Sequence, residues 1–361
     1  MTISPPPNKL NRWLIEKNWG EIQSYLSKIP KNNFQAQDYL AKGMVLAYGP
    51  KNNRNLEQAI FMIEKACLLS PKEASFLNTL SELLLQIEQP LKALQVATRA
   101  RQINLKAPML AVSAGRAAWA CHNRGLAYKH FQDALHSIPK EKLESELHLQ
   151  IKLICFKSAP FWWTPLHGKS LSLVRFEDKH KNFLIKTRKN SEFQHHYNLF
   201  KEDSVAAIEH EMKLTEHSPV DSKKVEWVIE KDSIPIGIAG LVNLDLKNSR
   251  AEIQVGFPNQ KYFGSALEAC LLILEFSFTT LGLNKVISYV YSDNPNGQRN
   301  TLHLGFKQEG LLESHIFDPT TKNYLDLYVN GCLLKRFFSD HYTTKLSTRL
   351  LGRTPSLHEK S

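Results

Sequence analysis

The stretch from Ala251 to Phe278 has the features of a phosphate-binding turn. An apolar strand pattern ends at Phe257, and after a short loop the chain takes up a long apolar helix pattern. The sequence Lys261-Tyr-Phe-Gly264-Ser-Ala266 stands where the predicted helix begins. Amide groups at a helix start lack partners and carry the positive end of the helix dipole, so they attract phosphate. Small residues there would let a pyrophosphate approach the backbone.

The order of the motifs that follow is more specific than this turn alone. Leu281-Gly-Leu-Asn-Lys-Val leads into another strand, Asp293-Asn-Pro follows it, and Leu304-Gly-Phe ends the next short helix. In this order residues 171–340 resemble the GNAT superfamily of N-acetyltransferases, whose [Q/R]xxGx[G/A] loop binds the pyrophosphate of acetyl-CoA. The resemblance is nearest to members that acetylate protein N-termini or amino-sugar nucleotides. It implies an α+β fold with a mixed, mostly antiparallel sheet, and acetyl-CoA as co-substrate.

The resemblance also implies a mechanism and a set of site residues. The acceptor amine attacks the thioester directly, so it must lose its proton to a base, and the developing oxyanion needs a donor. Glu252 on the predicted strand Ala251–Phe257 matches the general base by position, although a solvated strand glutamate explains it equally well. The residues expected near acetyl-CoA are Gly256, Phe257, Lys261, Tyr262, Phe263, Gly264, Ser265, Ala266 and Asn294; for Asn294 the alternative is an ordinary Asn-Pro turn.

Several positions depart from the family pattern. Lys261 replaces the usual Gln or Arg, and Gly264 is the one glycine left in the loop. Thr301 stands where many members have the tyrosine that protonates the leaving thiolate, so this acid is unassigned; Tyr291 and Tyr324 are candidates that fit the core equally well. These departures keep a second hypothesis open, in which a degenerate, non-catalytic domain serves a protein-interaction scaffold.

Strands and helices alternate in the part of the chain that must position these residues. Strands are predicted at Leu171–Phe176, Lys224–Glu230, Pro235–Leu246, Ala251–Phe257, Lys285–Tyr291, Phe306–Phe317 and Tyr324–Leu333. Helices are predicted at Lys179–Thr187, Val205–Leu214, Gly264–Leu281 and Pro295–Leu304. His195, His196 and His210 are expected to face solvent, with an acceptor pocket as the alternative for the first two. No His, Cys or Asp spacing predicts a metal site.

The first half of the chain repeats with a period of 34 residues. The matching positions are Ala59, Ala93 and Ala127; Ala66, Ala100 and Ala134; Ala47, Ser81 and Gly115; and Pro71, Leu105 and Pro139. Small residues let two helices approach closely, and proline ends a helix. The pattern resembles tetratricopeptide repeats, in three units at about 40–73, 74–107 and 108–141, after a leading helix at Trp13–Ile29. The resemblance implies a concave face that binds a peptide or protein.

These patterns predict four parts of the chain. We expect a helical tetratricopeptide-like domain at 1–152, a linker at 153–170, a GNAT domain at 171–340 and a basic tail at 341–361. The length suits two domains, each long enough to bury a core.

Charge and cysteine content narrow the functional class. The chain has 46 Lys and Arg against 35 Asp and Glu, a net charge of +11, but its basic residues are scattered and form no nucleic-acid surface. Its five cysteines include no CxxC pair, which indicates a reducing cytoplasm. The N-terminus lacks the apolar segment of a signal peptide, and no apolar run is expected to span a membrane. We therefore expect a cytoplasmic acetyl-CoA-dependent N-acetyltransferase, whose acceptor is an amine on a protein or an amino sugar.

Overall fold

The computed structural model describes residues 7–139, 141, 145–197, 204–215, 217–319 and 321–356. These residues divide into two compact units, Met1–Ala159 and Pro160–Ser361. The first unit extends beyond the boundary expected at 152, because the helix at Glu146–Ser158 passes that position. The expected linker is also folded: Trp162 is fully buried and its ring lies 5.8 Å from that of Phe276, between ring centroids. Prolines and a glycine break the helix pattern there, but aromatic burial orders the segment.

The described part of the first unit is built from helices. They are α1 (Pro7–Ile15), α2 (Trp19–Ser27), α3 (Ala36–Tyr48), α4 (Leu56–Leu69), α5 (Ala74–Gln86), α6 (Pro90–Ile103), α7 (Pro108–Ala120), α8 (Arg124–His136) and α9 (Glu146–Ser158). The starts of α4, α6 and α8 are spaced by 34 residues, as are the starts of α5 and α7. The first hairpin has a longer loop, which contains a short 3₁₀ turn at Lys51–Asn53.

The small residues of the repeat lie where the paired helices touch. The repeated alanines at 59, 93 and 127 and at 66, 100 and 134 are all buried. A Cβ added to Gly115 on α7 would lie 2.4 Å from the Phe131 ring on α8. The period therefore reflects close helix contacts, since a larger side chain at these positions would push the helices apart.

The second unit is a sheet with helices. Its strands are β1 (Leu166–His167), β2 (Ser172–Arg175), β3 (Val225–Lys231), β4 (Ile234–Asp245), β5 (Arg250–Gly256), β6 (Lys285–Tyr291), β7 (Lys307–Asp318) and β8 (Asn323–Leu333). Its helices are α10 (Lys181–Arg188), α11 (Ser191–Tyr197), α12 (Val205–Leu214), α13 (Pro219–Ser222), α14 (Ala266–Glu275), α15 (Pro295–His303), α16 (Leu334–Ser339) and α17 (His341–Leu351). The strand order is β1-β2-β3-β4-β5-β6-β8-β7, with β5 and β6 parallel and the other neighbours antiparallel. The expected mixed, mostly antiparallel sheet is confirmed.

The parallel strands β5 and β6 separate soon after they meet. They pair at Arg250 with Lys285, Ala251 with Val286 and Glu252 with Ile287. Beyond these pairs both strands continue, to Gly256 and Tyr291, without pairing with each other. The sheet therefore opens into a V-shaped cleft that begins at Glu252.

The helical segment after β5 begins at Gln260, before the predicted start at Gly264, and its α-helical part begins at Ala266. A 3₁₀ turn at Gln260–Ser265 leads directly into α14, and a π turn at Phe276–Thr280 follows. Asn259 starts this segment because its side chain accepts a hydrogen bond from the Lys261 amide. Residues 260–280 are long and apolar enough to cross a membrane by length and composition, but half of their apolar window is buried inside the protein.

The segment predicted as a basic tail forms a packed helix over most of its length. In α17 Leu346 and Leu351 are buried, and the helix packs against α14. Asp340 caps the helix, accepting a hydrogen bond from the Thr343 amide at 2.7 Å. The prediction of a tail rested on the basic residues of this segment. Its apolar residues at helical spacing are the better indicator of a packed helix. Residues 357–361 lie outside the described part of the chain.

Candidate active site

A cavity of about 470 Å³ occupies the cleft between β5 and β6. Glu252 and Gln254 on β5 line one wall, and Ser288 and Tyr289 on β6 line the other. The remaining lining comes from α11, α14, α15, β7 and β8. Because the two strands no longer pair here, the backbone groups on their facing edges are available to a ligand in the cleft.

A second cavity of about 350 Å³ continues from the first. Both are lined by Tyr197, Val255, Ala266, Asn294, Gly297 and Asn300, so they form one groove, which we call the cleft groove. The second part passes between the end of β5 at Gly256 and the start of α15. The cleft groove therefore connects the point where the sheet opens with the turn that precedes α14.

Glu252 is held at the start of the cleft by two neutral side chains. Asn243 Nδ2 donates to Glu252 Oε2, and Gln254 Nε2 donates to Oε1, each at 2.9 Å. Asn243 lies in a bulge of β4 with a φ of +51°, and this bulge aims its side chain at β5. Among the described residues no Lys or Arg pairs with Glu252, so no salt bridge competes with a proton from a ligand.

The turn before α14 leaves space for a ligand beside its glycine. A Cβ added to Gly264 would meet no atom within 4 Å. Two of the amides are already used, since Asn259 accepts from the amides of Lys261 and Tyr262 through its side chain and its carbonyl. The Lys261 ammonium lies 4.7 Å from the Tyr262 ring centroid, next to this turn. The open backbone at Gly264 and the Lys261 charge fit a phosphate group.

The structure brings most of the predicted cofactor residues to one place. Gly256, Phe257, Phe263, Ala266 and Asn294 line the cleft groove. Lys261, Tyr262, Gly264 and Ser265 lie in the 3₁₀ turn beside it and do not line either cavity.

Asn294 has a structural role in addition to its position at the groove. Its Oδ1 accepts a hydrogen bond from the Gly297 amide at 2.8 Å and so caps α15. A Cβ at Gly297 would lie 2.7 Å from the Asn294 amide nitrogen. Glycine at this position therefore makes room for the cap.

The candidates for the acid that protonates the leaving thiolate lie in different parts of the second unit. Thr301 is buried and lines the first cavity, as does Tyr291. Tyr324 is 63% exposed and packs its ring edge-on against Phe317, away from the lining of both cavities. The position of Tyr324 excludes it from the cleft, and Tyr291 is the tyrosine of the two that reaches it.

Sequence reasoning missed several lining residues. Tyr197 on α11 lines both cavities, and Cys270 and His315 line the first. Burial raises the pKa of the Cys270 thiol to about 12, which keeps it protonated. His315 lies in a stretch of β7 where the register with β8 shifts. The helical period of α14 could have pointed to Cys270, but no local pattern reveals a bulge in advance.

Known proteins resemble this half of the chain. Residues 170–307 match the family model described as an acetyltransferase (GNAT) domain. An uncharacterized N-acetyltransferase of Bacillus subtilis, YoaA, is 25% identical over 169 residues, which are 45% of this chain and 94% of that protein. The spermidine N(1)-acetyltransferase of Escherichia coli K12 is 31% identical over 98 residues, covering 27% of this chain and 53% of that protein.

A solved structure, the spermidine N-acetyltransferase of Vibrio cholerae in complex with CoA and spermine, is 23% identical. The match covers 47% of this chain and 99% of that one, with a TM-score of 0.43. The family match covers residues 170–307, which lie in the second unit, and GNAT acetyltransferases use acetyl-CoA.

Proposed function

We propose that the protein is an acetyl-CoA-dependent N-acetyltransferase that acetylates a primary amine by direct attack on the thioester. The observation that supports this most is the parting of β5 and β6 at Glu252, since the proposed base stands where the cleft begins. The cleft groove then leads to the turn with open space at Gly264. A base, a slot between strands and an anion-binding turn are the parts that this reaction requires.

Each group in the cleft has a task in the proposed reaction. Acetyl-CoA supplies the activated acetyl group. Glu252 takes the proton from the acceptor nitrogen, directly or through a water molecule, so that the nitrogen lone pair can form the new C–N bond. Backbone N–H groups on the unpaired edges of β5 and β6 can donate to the developing oxyanion. Tyr291 is the proposed donor of the proton that the departing sulfur takes up.

The charge of the cleft groove bears on the acceptor. Its described lining residues include the carboxylates of Glu192, Glu252 and Asp293 and no Lys or Arg. The sequence left a protein N-terminus and an amino-sugar nucleotide open, and the names of two relatives add polyamines such as spermidine. Carboxylates stabilise an ammonium, and this agrees with each of these amine acceptors; acetyl-CoA itself brings a diphosphate to the groove, so the charge favours none of the three over the others.

The first unit supports a second part of the proposal. We propose that its hairpins are tetratricopeptide-like repeats that bind a peptide or protein partner, which could present the acceptor amine. The period of 34 residues and the buried small residues at the helix contacts support this assignment. The five cysteines form no disulfide in the described part of the chain, which supports the proposal that the protein works in a reducing cytoplasm.

The alternative is a scaffold with a non-catalytic second unit. Thr301 in place of the usual tyrosine favours it, as does the use of the Lys261 and Tyr262 amides by Asn259. A scaffold should bind acetyl-CoA weakly or not at all, so cofactor affinity separates the two functions.

Titration calorimetry of acetyl-CoA into the wild type and Gly264→Trp tests the proposal. We expect micromolar binding in the wild type and its loss in the variant, because the indole would fill the space beside the turn. Gly125→Trp is the matched control, since its Cβ also meets no atom within 4 Å but lies in the first unit. No binding by the wild type would refute the enzyme and favour the scaffold.

A further inference from the structure

Helix α11 packs against the β5 side of the cleft groove. The rings of Phe193 and Tyr197 stack with centroids 4.9 Å apart and cover Gly256, where a Cβ would lie within 2.7 Å of both rings. Before the helix, Asn190 Nδ2 donates to the Pro258 carbonyl at 3.3 Å. These contacts fix one edge of α11 on the strand and loop that form one wall of the groove.

The same helix also contacts the opposite side of the cleft groove. His195 Nε2 lies 2.6 Å from Asp293 Oδ2, in the turn between β6 and α15. Its Nδ1 lies 3.8 Å from Oδ2 of Asp318, a fully buried residue at the end of β7. The 2.6 Å contact has hydrogen-bond length, with Nε2–H donating to Asp293, whereas 3.8 Å is too long for a hydrogen bond to Asp318. The His195 side chain therefore joins α11 to the far wall.

The two attachments make α11 a bridge across the groove. Glu192, Phe193 and Tyr197 line its second part from one side, and Asp293 and Asn294 line it from the other. A ligand arm that lies in the groove between these walls is therefore covered by the helix. A bulky ligand enters or leaves more easily when one attachment opens, and a hydrogen bond between two partly exposed side chains opens more readily than a packed aromatic face.

We infer that α11 is a roof over the cofactor groove and that His195, bound to Asp293, is the latch that holds the roof closed over acetyl-CoA. His195 is a positioning residue, since it acts through α11 and does not line the groove itself. The identity of the ligand rests on the proposed function; the latch rests on the His195 contacts alone.

Two variants of the latch test its effect on the cofactor. In His195→Ala and Asp293→Asn we expect acetyl-CoA to dissociate about tenfold faster, the order expected for loss of one charge-assisted hydrogen bond. The measurement is stopped-flow displacement of bound acetyl-CoA by excess CoA. His195→Gln should restore part of the slow release, because its amide can still donate to Asp293. His210→Ala, an exposed histidine on α12, is the matched control and should release at the wild-type rate. Unchanged release in both latch variants would overturn the inference.

Hydrogen exchange tests the latch without any ligand. We expect the α11 amides of Phe193–Tyr197 to exchange faster in His195→Ala than in the wild type and in His210→Ala, while those of β5 stay protected. Equal exchange of α11 in all three proteins would refute the latch, even if acetyl-CoA binds. Failure of the wild type to bind acetyl-CoA would instead refute the proposed function, and the exchange result would still decide the latch.

Discussion

Gln298 and Asn330 exchange two hydrogen bonds through their side-chain amides. Gln298 Nε2 donates to Asn330 Oδ1 at 3.0 Å, and Asn330 Nδ2 donates to Gln298 Oε1 at 2.9 Å. Asn330 is fully buried on β8, and its amide also donates to the Ser288 carbonyl on β6 at 3.3 Å. This pair fixes α15, which lines the cleft groove, on the strands beneath it.

Asn330→Asp should destabilise the second unit by about 2–4 kcal/mol. A carboxylate cannot donate to Gln298 or Ser288, and burying its charge without a cation adds to the cost. The measurement is urea unfolding at neutral pH. Asn323→Asp is the matched control, since Asn323 begins the same strand but is exposed. If Asn330→Asp were as stable as Asn323→Asp, the Gln298–Asn330 pair would contribute nothing to the free energy of unfolding.

Glu252→Gln should lower kcat/KM by about a hundredfold or more while leaving acetyl-CoA affinity unchanged. The amide keeps the shape of the side chain but cannot take the proton of the acceptor amine. The measurement is thiol release from acetyl-CoA with spermidine and N-terminal peptides as acceptors, followed by calorimetry. Glu313→Gln, an exposed glutamate on β7, controls for the loss of one charge. Full activity in Glu252→Gln would remove Glu252 from the mechanism.

The protein should lose stability in acid partly through Glu230. Burial alone would raise the pKa of Glu230, but hydrogen bonds from His180 and Lys179 outweigh it and hold the pKa below its ordinary value. His180 Nδ1 accepts from the Glu177 amide, so Nε2 carries the proton donated to Glu230. The Glu230 contribution is complete above the unfolded pKa, about 4.3, and is lost as pH falls through the lower folded pKa. Urea unfolding between neutral and acid pH should show a shallower loss of stability in Glu230→Gln. Equal loss of stability with falling pH in the wild type and Glu230→Gln would contradict this role of Glu230.

Two glycine-to-alanine substitutions should have opposite effects in the first unit. Gly115→Ala should destabilise it by about 1–3 kcal/mol, because the new methyl group would overlap the Phe131 ring. Gly125→Ala, in the first turn of α8, should stabilise it by about 0.5–1 kcal/mol, since its Cβ meets no atom and alanine favours the helix. Thermal unfolding measures the stability of both variants. A stabilised Gly115→Ala would show that the contact between α7 and α8 has room for a methyl group.

Local periodicity was enough to predict most elements of the sheet. The predicted strand at 285–291 and the predicted helix at 205–214 have the bounds found in the structure, because burial on one face leaves a regular apolar pattern. The groove position of Asn294 agrees with what the family resemblance implied. The catalytic and cofactor roles of the site residues remain predictions.

Contacts between distant parts of the chain could not be predicted in the same way. His195 and Asp293 are 98 residues apart, and nothing in either local sequence indicates the other. The histidine was expected to face solvent because it lies in a polar helix. In the same way, the charge of the C-terminal segment obscured the apolar stripe of α17, whose partner α14 lies far away in sequence.

The short pairing of β5 with β6 has a consequence for how the second unit unfolds. Strands β1–β5 form one side of the sheet, and β6, β8 and β7 form the other. The two sides are joined by the three residue pairs between β5 and β6. The described sheet is therefore two half-sheets, each held by its own antiparallel pairs, with a weak seam between them. A ligand arm lying in the cleft would bond to both edges and replace the missing ladder. Occupancy of the cleft should therefore make the two halves unfold more cooperatively.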